Sequence, residues 1–301
     1  MSITRKKLPE GLSIASQSPE FWRRLAPELT ISDVQPVQPR LRNVAMGQAE
    51  RRRLINDGFI HQRQPGIEAP WSKIATALER IVATGFPAAF IGVYDEVWSI
   101  AAQMAPVMDG LFNGKAALVP DFWASHTGSG DAGAAAGRRR GGAALFRDGS
   151  PKSVSLWVPL TDATPENGCV YLVPAGQDRN YGKADATRAD APLTGIRALP
   201  AKAGDALIWT GETYHWRGRP ARDNPDGPLA SLAFEFQSRD CGAFEGLIID
   251  SYPYVPFETR LGLLARQMPR YGGVFSSHPV WCAVQQTLSN RYPMRIPTLR
   301  V

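Results

Sequence analysis

Two hydrophobic periods divide this chain of 301 residues. In its first third, apolar residues recur at spacings of three and four, which predicts amphipathic helices. The predicted helices begin at Pro19 after an N-cap at Ser18, run from about Gln48 to Gly58, cover residues 71–84, and begin near Asp95 with a kink or an end at Pro106. The apolar run "AAFIGV", residues 88–93, predicts a strand between the last two helices.

From about residue 116 the period changes to two. Short apolar runs alternate with clusters of Gly, Pro, Asn and Asp, which is typical of strands and turns. The predicted strands cover residues 116–124, 153–160, 169–174, 206–210 and 230–237. One face of the strand at 153–160 is aliphatic and is predicted to face the core, whereas Ser153, Ser155 and Trp157 share the other face and are predicted to line a cavity.

A last amphipathic helix is predicted around Leu261. The simplest organisation is one domain over residues 1–301, with helices packed around a β-sandwich or jelly roll. In this organisation, residues 1–87 are a helical lead-in, residues 88–255 are the β core, and residues 256–301 are a C-terminal helix and tail. The predicted fold class is therefore mainly β with flanking helices.

The charge of the chain permits an anionic partner but does not require one. The 34 Lys and Arg residues and the 28 Asp and Glu residues give a formal net charge of +6, and both signs are scattered along the chain. Scattered charge argues against nucleic-acid binding, whereas a small anionic or hydrophobic substrate remains compatible. We expect a cytoplasmic protein, because the chain has no apolar run long enough for a membrane and no secretory signal after its basic N-terminus. Composition leaves the oligomeric state open.

Two segments carry a resemblance to a known family. The segment "SLWVPLTDATPENGCVYLVPAGQD", residues 155–178, is followed by "AKAGDALIWTGETYHWRG", residues 201–218. In the order of their strands and turns they resemble the phytanoyl-CoA dioxygenase family of non-haem Fe(II), 2-oxoglutarate-dependent oxygenases, and the resemblance covers most of residues 88–270. It implies a double-stranded β-helix, a jelly roll with the site in its open mouth.

The resemblance also implies an iron centre, whose ligands can be sought one by one. Such oxygenases hold Fe(II) with two histidines and one carboxylate and leave positions open for 2-oxoglutarate and O2. His215 stands where the family has its distant histidine. The family places the other two ligands, as His-x-Asp or His-x-Glu, shortly before "SLWVPL", but residues 137–152 read "GRRRGGAALFRDGSPK". Arg139 and Gly141 occupy the expected positions there, and neither residue type can ligate iron. The iron ligands are therefore predicted to be lost.

His126 and three arginines are the candidates that replace the missing groups. His126-Thr127-Gly128 matches the His-x-Gly form of iron halogenases, so His126 is a candidate metal ligand beside His215, with an ordinary structural role as the alternative. The family's arginine for 2-oxoglutarate is expected on the strand after the distant histidine, where this chain has Leu229 and Ala230. In the loop before that strand lie Arg217, Arg219 and Arg222, and Arg219 and Arg222 are predicted to bind the cosubstrate.

Three functions follow from these residues. The fold implies a small-molecule oxygenase that hydroxylates or otherwise oxidises an unactivated carbon with Fe(II) and 2-oxoglutarate. The alternative is a cofactor-free, redox-neutral isomerase or cyclase with a cationic pocket, in which His215, Arg139 and Trp157 are the catalytic candidates. The third is a non-catalytic descendant that binds a ligand. An apolar substrate cavity is predicted to be lined by aromatic residues, namely Trp157, Tyr171, Trp209 and Trp216.

Overall fold

The computed structural model describes residues 15–33, 48–127, 144–183, 195–244, 246–251, 254–271 and 279–292. The helices are α1 Pro19–Leu25, α2 Gln48–Asp57, α3 Trp71–Ala83, α4 Asp95–Leu111, α5 Phe257–Gln267 and α6 Pro279–Arg291, with short 3₁₀ helices at Ala88–Val93, Ala175–Gln177 and Met268–Tyr271. The strands are β1 Phe59–Gln62, β2 Ala116–Thr127, β3 Ser153–Pro159, β4 Val170–Leu172, β5 Arg197–Leu199, β6 Ala206–Thr210, β7 His215–Arg217, β8 Leu229–Ser238 and β9 Ile249–Asp250. Most predicted elements therefore lie within a few residues of their predicted bounds.

The strands form two antiparallel sheets. A six-stranded sheet has the order β1-β6-β3-β8-β2-β9, and a three-stranded sheet has the order β5-β4-β7. Strands that are neighbours in space are mostly distant in sequence, as in the two facing sheets of a jelly roll. The predicted fold class, a mainly β jelly roll with flanking helices, is confirmed.

Each face of the six-stranded sheet belongs to a different hydrophobic cluster. Val154, Leu156 and Val158 of β3 join the large cluster between this sheet and the helices, and we call this side the helix-facing side. Trp157, at the alternate position, joins a smaller cluster that also contains residues of the three-stranded sheet. We call the side that carries Trp157 the inner face. The predicted division of β3 into a core face and a cavity face therefore corresponds to these two layers.

The predicted strand at residues 88–93 is wrong. Ala88–Val93 is a 3₁₀ helix that starts after Pro87 and is buried from Ala89 onwards. An uninterrupted apolar run has no alternation to specify an exposed face, so the sequence pattern cannot separate a buried strand from a buried helix. Gly92 makes this packing possible, because a Cβ on that residue would collide with the ring of Phe122 on β2.

Two other expectations are corrected at the ends of helices. Pro106 does not end α4, which continues to Leu111. The predicted helical lead-in contains β1, an edge strand whose Ile60 pairs with Ile208 of β6, so the six-stranded sheet begins before residue 88. Gly58, with φ of +79°, ends α2 and lets the chain turn directly into this strand. The division into one domain with these boundaries otherwise stays a prediction.

Buried polar groups tie the N-terminal segment and α5 to α4. Asp95 Oδ1 lies 2.6 Å from Arg260 Nη2, and both side chains are buried. The same guanidinium donates to the carbonyls of Val93 and Val255, each at 2.7 Å, and Asp95 Oδ2 accepts hydrogen bonds from the backbone N–H and hydroxyl of Ser32. This ion pair therefore joins three elements of the helical layer. Among the described residues, no helix combines the length and hydrophobicity needed to span a membrane.

Candidate active site on the inner face

The candidate site lies between the two sheets, on the inner face. Strand register places Trp209, Ser155 and Glu235 side by side on β6, β3 and β8. The next row along the same face contains Leu207, Trp157, Ala233 and Trp123. Trp157 is buried and Trp123 is 39% exposed. The inner face therefore combines apolar aromatic surface with a half-buried carboxylate, that of Glu235.

His215 approaches this face from the three-stranded sheet. It begins β7, pairs with Leu172 of β4, and its ring centroid lies 4.7 Å from that of Trp209. Its Nδ1 contacts the carbonyl oxygen of Thr213 at 2.8 Å. Because a carbonyl oxygen only accepts, Nδ1 carries the hydrogen, and Nε2 is the basic atom of the neutral ring. The prediction that His215 belongs to the site agrees with this position but is not tested by it.

A chain of hydroxyl groups supports the loop that carries His215. Thr213 Oγ1 donates to the carbonyl of Gly58 at 2.7 Å and lies 3.1 Å from Thr210 Oγ1, which contacts the hydroxyl of Tyr181 at 2.7 Å. Burial raises the pKa of Tyr181 above its ordinary value. Gly58 is suited to this contact, because a Cβ there would lie 2.9 Å from Thr213 Oγ1. The lead-in thus fixes the position of the candidate histidine.

Arg217 lies on the same face of β7 as His215. Alternate residues of a strand point to the same side, and Arg217 pairs with Val170, a member of the cluster between the sheets. The sequence analysis assigned Arg217 to a loop, because three residues are too few to show an alternating pattern. The structure instead places this cation in a strand, two residues from His215.

Tyr171 and Trp216 do not line the cavity with Trp157 and Trp209. They pair with each other across β4 and β7 at the positions between the inward ones, so they lie on the outer side of the three-stranded sheet. Their rings stack there at 5.9 Å with an interplanar angle of 15°. Of the four aromatic residues that the sequence predicts to line a cavity, Trp157 and Trp209 therefore lie between the two sheets, whereas Tyr171 and Trp216 stack on the other side of the three-stranded sheet.

Two buried donors on the inner face have no partner. Among the described residues, neither Trp209 Nε1 nor Ser153 Oγ has a hydrogen-bond partner. Trp209 is 4% exposed and Ser153 is 1% exposed. A buried donor without an acceptor costs about 1–3 kcal/mol, so such groups are unusual and call for a physical explanation.

A comparison with protein families finds one match. Residues 96–219 match the family described as phytanoyl-CoA dioxygenase (PhyH). Over these residues, the chain is similar to the phytanoyl-CoA dioxygenase family. A search of curated proteins finds no match to the chain.

The chain is similar to several solved structures, of which three hold 2-oxoglutarate, also called alpha ketoglutarate. EctD from S. alaskensis, with 2-oxoglutarate and 5-hydroxyectoine, is 16% identical over 70% of this chain and 87% of that one, with a TM-score of 0.49. HygX from Streptomyces hygroscopicus, with nickel and 2-oxoglutarate, is 17% identical over 65% and 88%, with a TM-score of 0.48. The epimerase SnoN, with Fe3+, alpha ketoglutarate and nogalamycin RO, is 18% identical over 64% and 85%, with a TM-score of 0.46.

The structure does not bring the two candidate metal ligands, His126 and His215, together. His126 on β2 pairs with Ala230, which lies in the cluster on the helix-facing side. Residues paired directly across two strands point to the same side, so His126 lies on the opposite side of the sheet from the inner face. The sequence does not reveal the register of the strands, and for this reason it could not show that His126 and His215 lie on different sides of the sheet. Arg139 and Gly141 lie outside the described residues.

The described residues contain no complete group of metal-binding side chains. They contain no group of three histidine, cysteine, aspartate or glutamate side chains that could hold a metal ion. His61, on the edge strand β1, is 3.2 Å from Asp205 through its Nε2. His278 lies outside the described residues. Among the described histidines, His215 alone therefore has the position that the family pattern requires.

The candidate arginines for 2-oxoglutarate lie at the margin of the site. Arg219 and Arg222 follow β7 and are exposed, and their role in cosubstrate binding stays a prediction. Leu229, one of the two positions where the resemblance predicts the family's arginine, is fully buried in the cluster between the sheets. Sequence reasoning named Arg217 only as one of three arginines in a loop, and it missed Glu235 as a candidate site residue. For Glu235 the alternation of β8 was the available signal, since it separates this residue from Phe234 and Phe236.

Proposed function

We propose that this protein is a small-molecule enzyme that works without iron and 2-oxoglutarate and performs redox-neutral acid-base chemistry, such as isomerisation or cyclisation. One observation supports it most. The described part of the chain offers His215 at the expected place but no set of three metal-ligating groups. The buried Leu229 in place of the cosubstrate arginine points the same way.

His215 and Glu235 form the proposed acid-base pair. Trp209, against which His215 packs, is separated from Glu235 by one strand, which corresponds to about 10 Å between the two backbones. A small molecule between the sheets therefore lies within reach of an imidazole and a carboxylate. One group removes a proton from a carbon of the substrate and the other returns a proton at a second atom, so the reaction needs no oxidant. The hydrogen bond from Nδ1 to Thr213 leaves Nε2 to exchange that proton.

The remaining site residues bind and orient the substrate in this proposal. Arg217 pairs with a negative charge on the substrate or on the intermediate that forms when a proton leaves. Trp157 supplies an apolar wall. Arg139 adds a further cation by its position in the sequence, and Arg219 and Arg222 attract anions from the exposed loop. The expected substrate is a small molecule that is anionic, with apolar surface.

The proposal is tested by proton exchange in D2O. A set of small carboxylic acids is incubated with metal-free protein and followed by NMR for deuterium incorporation and for isomers of unchanged connectivity or ring closure. We expect exchange that persists without O2, is lost in His215→Gln and is reduced in Glu235→Gln. His126→Gln, on the other side of the sheet, is the matched control and should exchange like the wild type. Exchange that survives His215→Gln contradicts the proposal.

The second candidate function is the iron-dependent oxygenase of the family. It is favoured by the hydrogen bond from His215 Nδ1 to a backbone carbonyl, because histidines that bind metals are commonly held in this way. It predicts that purified protein binds one Fe(II) per chain and consumes 2-oxoglutarate with O2. Metal analysis separates the two candidates. If the wild type binds no iron, Arg139→His combined with Gly141→Asp should create iron binding, since these positions replace the family's His-x-Asp.

A further inference from the structure

We infer that the inner face binds a carboxylic acid with a flat apolar body, whose carboxylate pairs with Arg217 and whose body carries an oxygen acceptor that faces Trp209 Nε1. This inference rests on the pocket of the proposed function and specifies its substrate class. It does not depend on the reaction that follows binding.

The charges of the three-stranded sheet indicate an anion. Arg217 lies on the inward side of β7, in line with Val170, and Arg197 of β5 lies in the same row as Leu172 and His215. The facing row of the six-stranded sheet contains Trp209, Ser155 and Glu235, and of these only Glu235 carries a carboxylate. Arg217 is half-buried and Arg197 is exposed, so β7 and β5 carry one guanidinium on the inward side and one towards solvent. A guanidinium binds a carboxylate through two parallel hydrogen bonds, which favours a carboxylate over a neutral amide.

The unpartnered donors indicate a second polar group on the same ligand. Trp209 Nε1 and Ser153 Oγ are both more than nine-tenths buried on the inner face and have no partner among the described residues. Strand register places Trp209 opposite Ser155, two residues from Ser153, so both donors belong to residues in successive rows of the inner face. An oxygen on the ligand satisfies a donor that the protein leaves unpaired.

The walls of the site indicate the shape of the ligand body. Trp157 and Trp209 are inward-facing members of the cluster between the sheets, together with Leu207 and Leu229. Trp123 lies in the same row as Trp157 and is 39% exposed, which places a large apolar ring towards solvent on this face. Flat aromatic surfaces of this kind pack best against a flat ligand.

The experiment compares four probes by isothermal titration calorimetry on metal-free full-length protein. 4-Hydroxyphenylacetate carries all three features, phenylacetate lacks the second oxygen, 4-hydroxyphenylacetamide lacks the charge, and 2-oxoglutarate lacks the flat apolar body. We expect 4-hydroxyphenylacetate to bind at least tenfold more tightly than the amide and than 2-oxoglutarate, and several-fold more tightly than phenylacetate. Tighter binding of 2-oxoglutarate would identify the anion site as that of a cosubstrate and would overturn the inference.

Two variants assign the contacts. Arg217→Met should weaken 4-hydroxyphenylacetate at least tenfold and abolish its preference over the amide. Trp209→Phe should weaken 4-hydroxyphenylacetate and leave phenylacetate nearly unchanged. The exposed Arg24→Met, on α1, is the matched control for general charge and should bind like the wild type. Equal losses in Arg217→Met and Arg24→Met would refute the assigned contact, as would a loss confined to Arg24→Met. Arg217→Lys, which keeps the charge without the paired hydrogen bonds, should fall between the wild type and Arg217→Met.

The outcomes for binding and for reaction are distinguishable. If the acid binds through Arg217 but His215→Gln leaves proton exchange unaltered, the proposed chemistry fails and the substrate class stands. If exchange depends on His215 but occurs only on neutral molecules, and the acids do not bind, the substrate class fails and the chemistry stands.

Discussion

Buried tryptophan N–H groups are paired on the helix-facing side of the six-stranded sheet and unpaired at Trp209 on its inner face. On the helix-facing side, Trp22 Nε1 donates to the carbonyl of Ser16 at 2.9 Å, and Trp98 Nε1 donates to the carbonyl of Gly92 at 2.8 Å. On the inner face, Trp209 is as deeply buried as Trp98, yet its Nε1 has no acceptor among the described residues. The same residue type thus serves the fold on one side of the sheet and leaves a donor unused on the other.

This contrast separates polar groups that stabilise the protein from those available to a ligand. The buried Arg260 is held by Asp95 and by two backbone carbonyls, although burial lowers its pKa below the ordinary value. No proton or ligand is needed to explain these contacts. On the inner face, Trp209 Nε1 and Ser153 Oγ have no partner among the described residues, so the packing of the sheets does not account for these two donors.

The largest effect is expected from breaking the buried ion pair of the helical layer. Arg260→Met leaves Asp95 buried without its cation and should lower the free energy of unfolding by about 3–5 kcal/mol. Urea unfolding followed by circular dichroism measures the change. Arg80→Met is the matched control, because the side chain of Arg80 is 45% exposed in its ion pair with Glu28. This substitution should lower the free energy of unfolding by only about 0–1 kcal/mol. Similar losses in both variants would contradict the structural role of the buried pair.

A pair of identical substitutions tests the two sides directly. Trp98→Phe removes a hydrogen bond to Gly92 and leaves that carbonyl unpaired, so it should cost about 1–3 kcal/mol beyond the effect of the smaller ring. Trp209→Phe removes a donor that has no partner among the described residues. It should therefore lower the free energy of unfolding by about 1–3 kcal/mol less than Trp98→Phe does. Chemical unfolding of both variants gives the difference. If Trp209→Phe is the more destabilising of the two, Trp209 has a structural role that its hydrogen bonding does not indicate.

Sequence predicted the helix-facing side better than the inner face. Alternation identified the strands and the aliphatic side of β3, because a strand with one buried face must show a period of two. It failed at residues 88–93, where every position is buried, and at the four-residue edge strand β1. Both failures share a cause, since neither segment has enough alternating positions to reveal its structure.

The site was only partly accessible to sequence, because it depends on which strands are neighbours. His215 was found through the motif around it, and it does lie between the sheets. His126 was grouped with it, yet pairing with Ala230 turns it to the other side of the sheet. Arg217 and Glu235 come from strands that are twelve or more residues apart in sequence and meet only through the register of two sheets.

The loop that carries His215 contains Thr213, whose hydroxyl group is paired within the protein and is therefore expected to stabilise it. Thr213→Val removes the hydroxyl that bonds to Gly58 and Thr210, and it should cost about 1 kcal/mol or slightly more. Thr84→Val, which removes one hydroxyl bond to the carbonyl of Ile81 on the helical layer, is the control and should cost about 0.5–1 kcal/mol. Thermal unfolding of the two variants measures the ordering. If Thr213→Val leaves the stability unchanged, the hydroxyl of Thr213 does not stabilise the fold.

The smallest effect concerns a carboxyl group at the start of α4. Burial raises the pKa of Glu96, an effect that the hydrogen bond from the backbone N–H of Thr30 opposes. A raised folded-state pKa means that the contribution of this carboxyl to stability is complete below about pH 4.3, the pKa of an unfolded glutamate, and is lost as the pH rises through the folded-state pKa. Glu96→Gln keeps an acceptor for Thr30 and cannot ionise. Its stability relative to the wild type should therefore increase as the pH rises from 4 and then level off, in urea unfolding at successive pH values. A relative stability that falls over this range would mean that the ionised carboxylate stabilises the helical layer, as we expect for Asp95 beside Arg260.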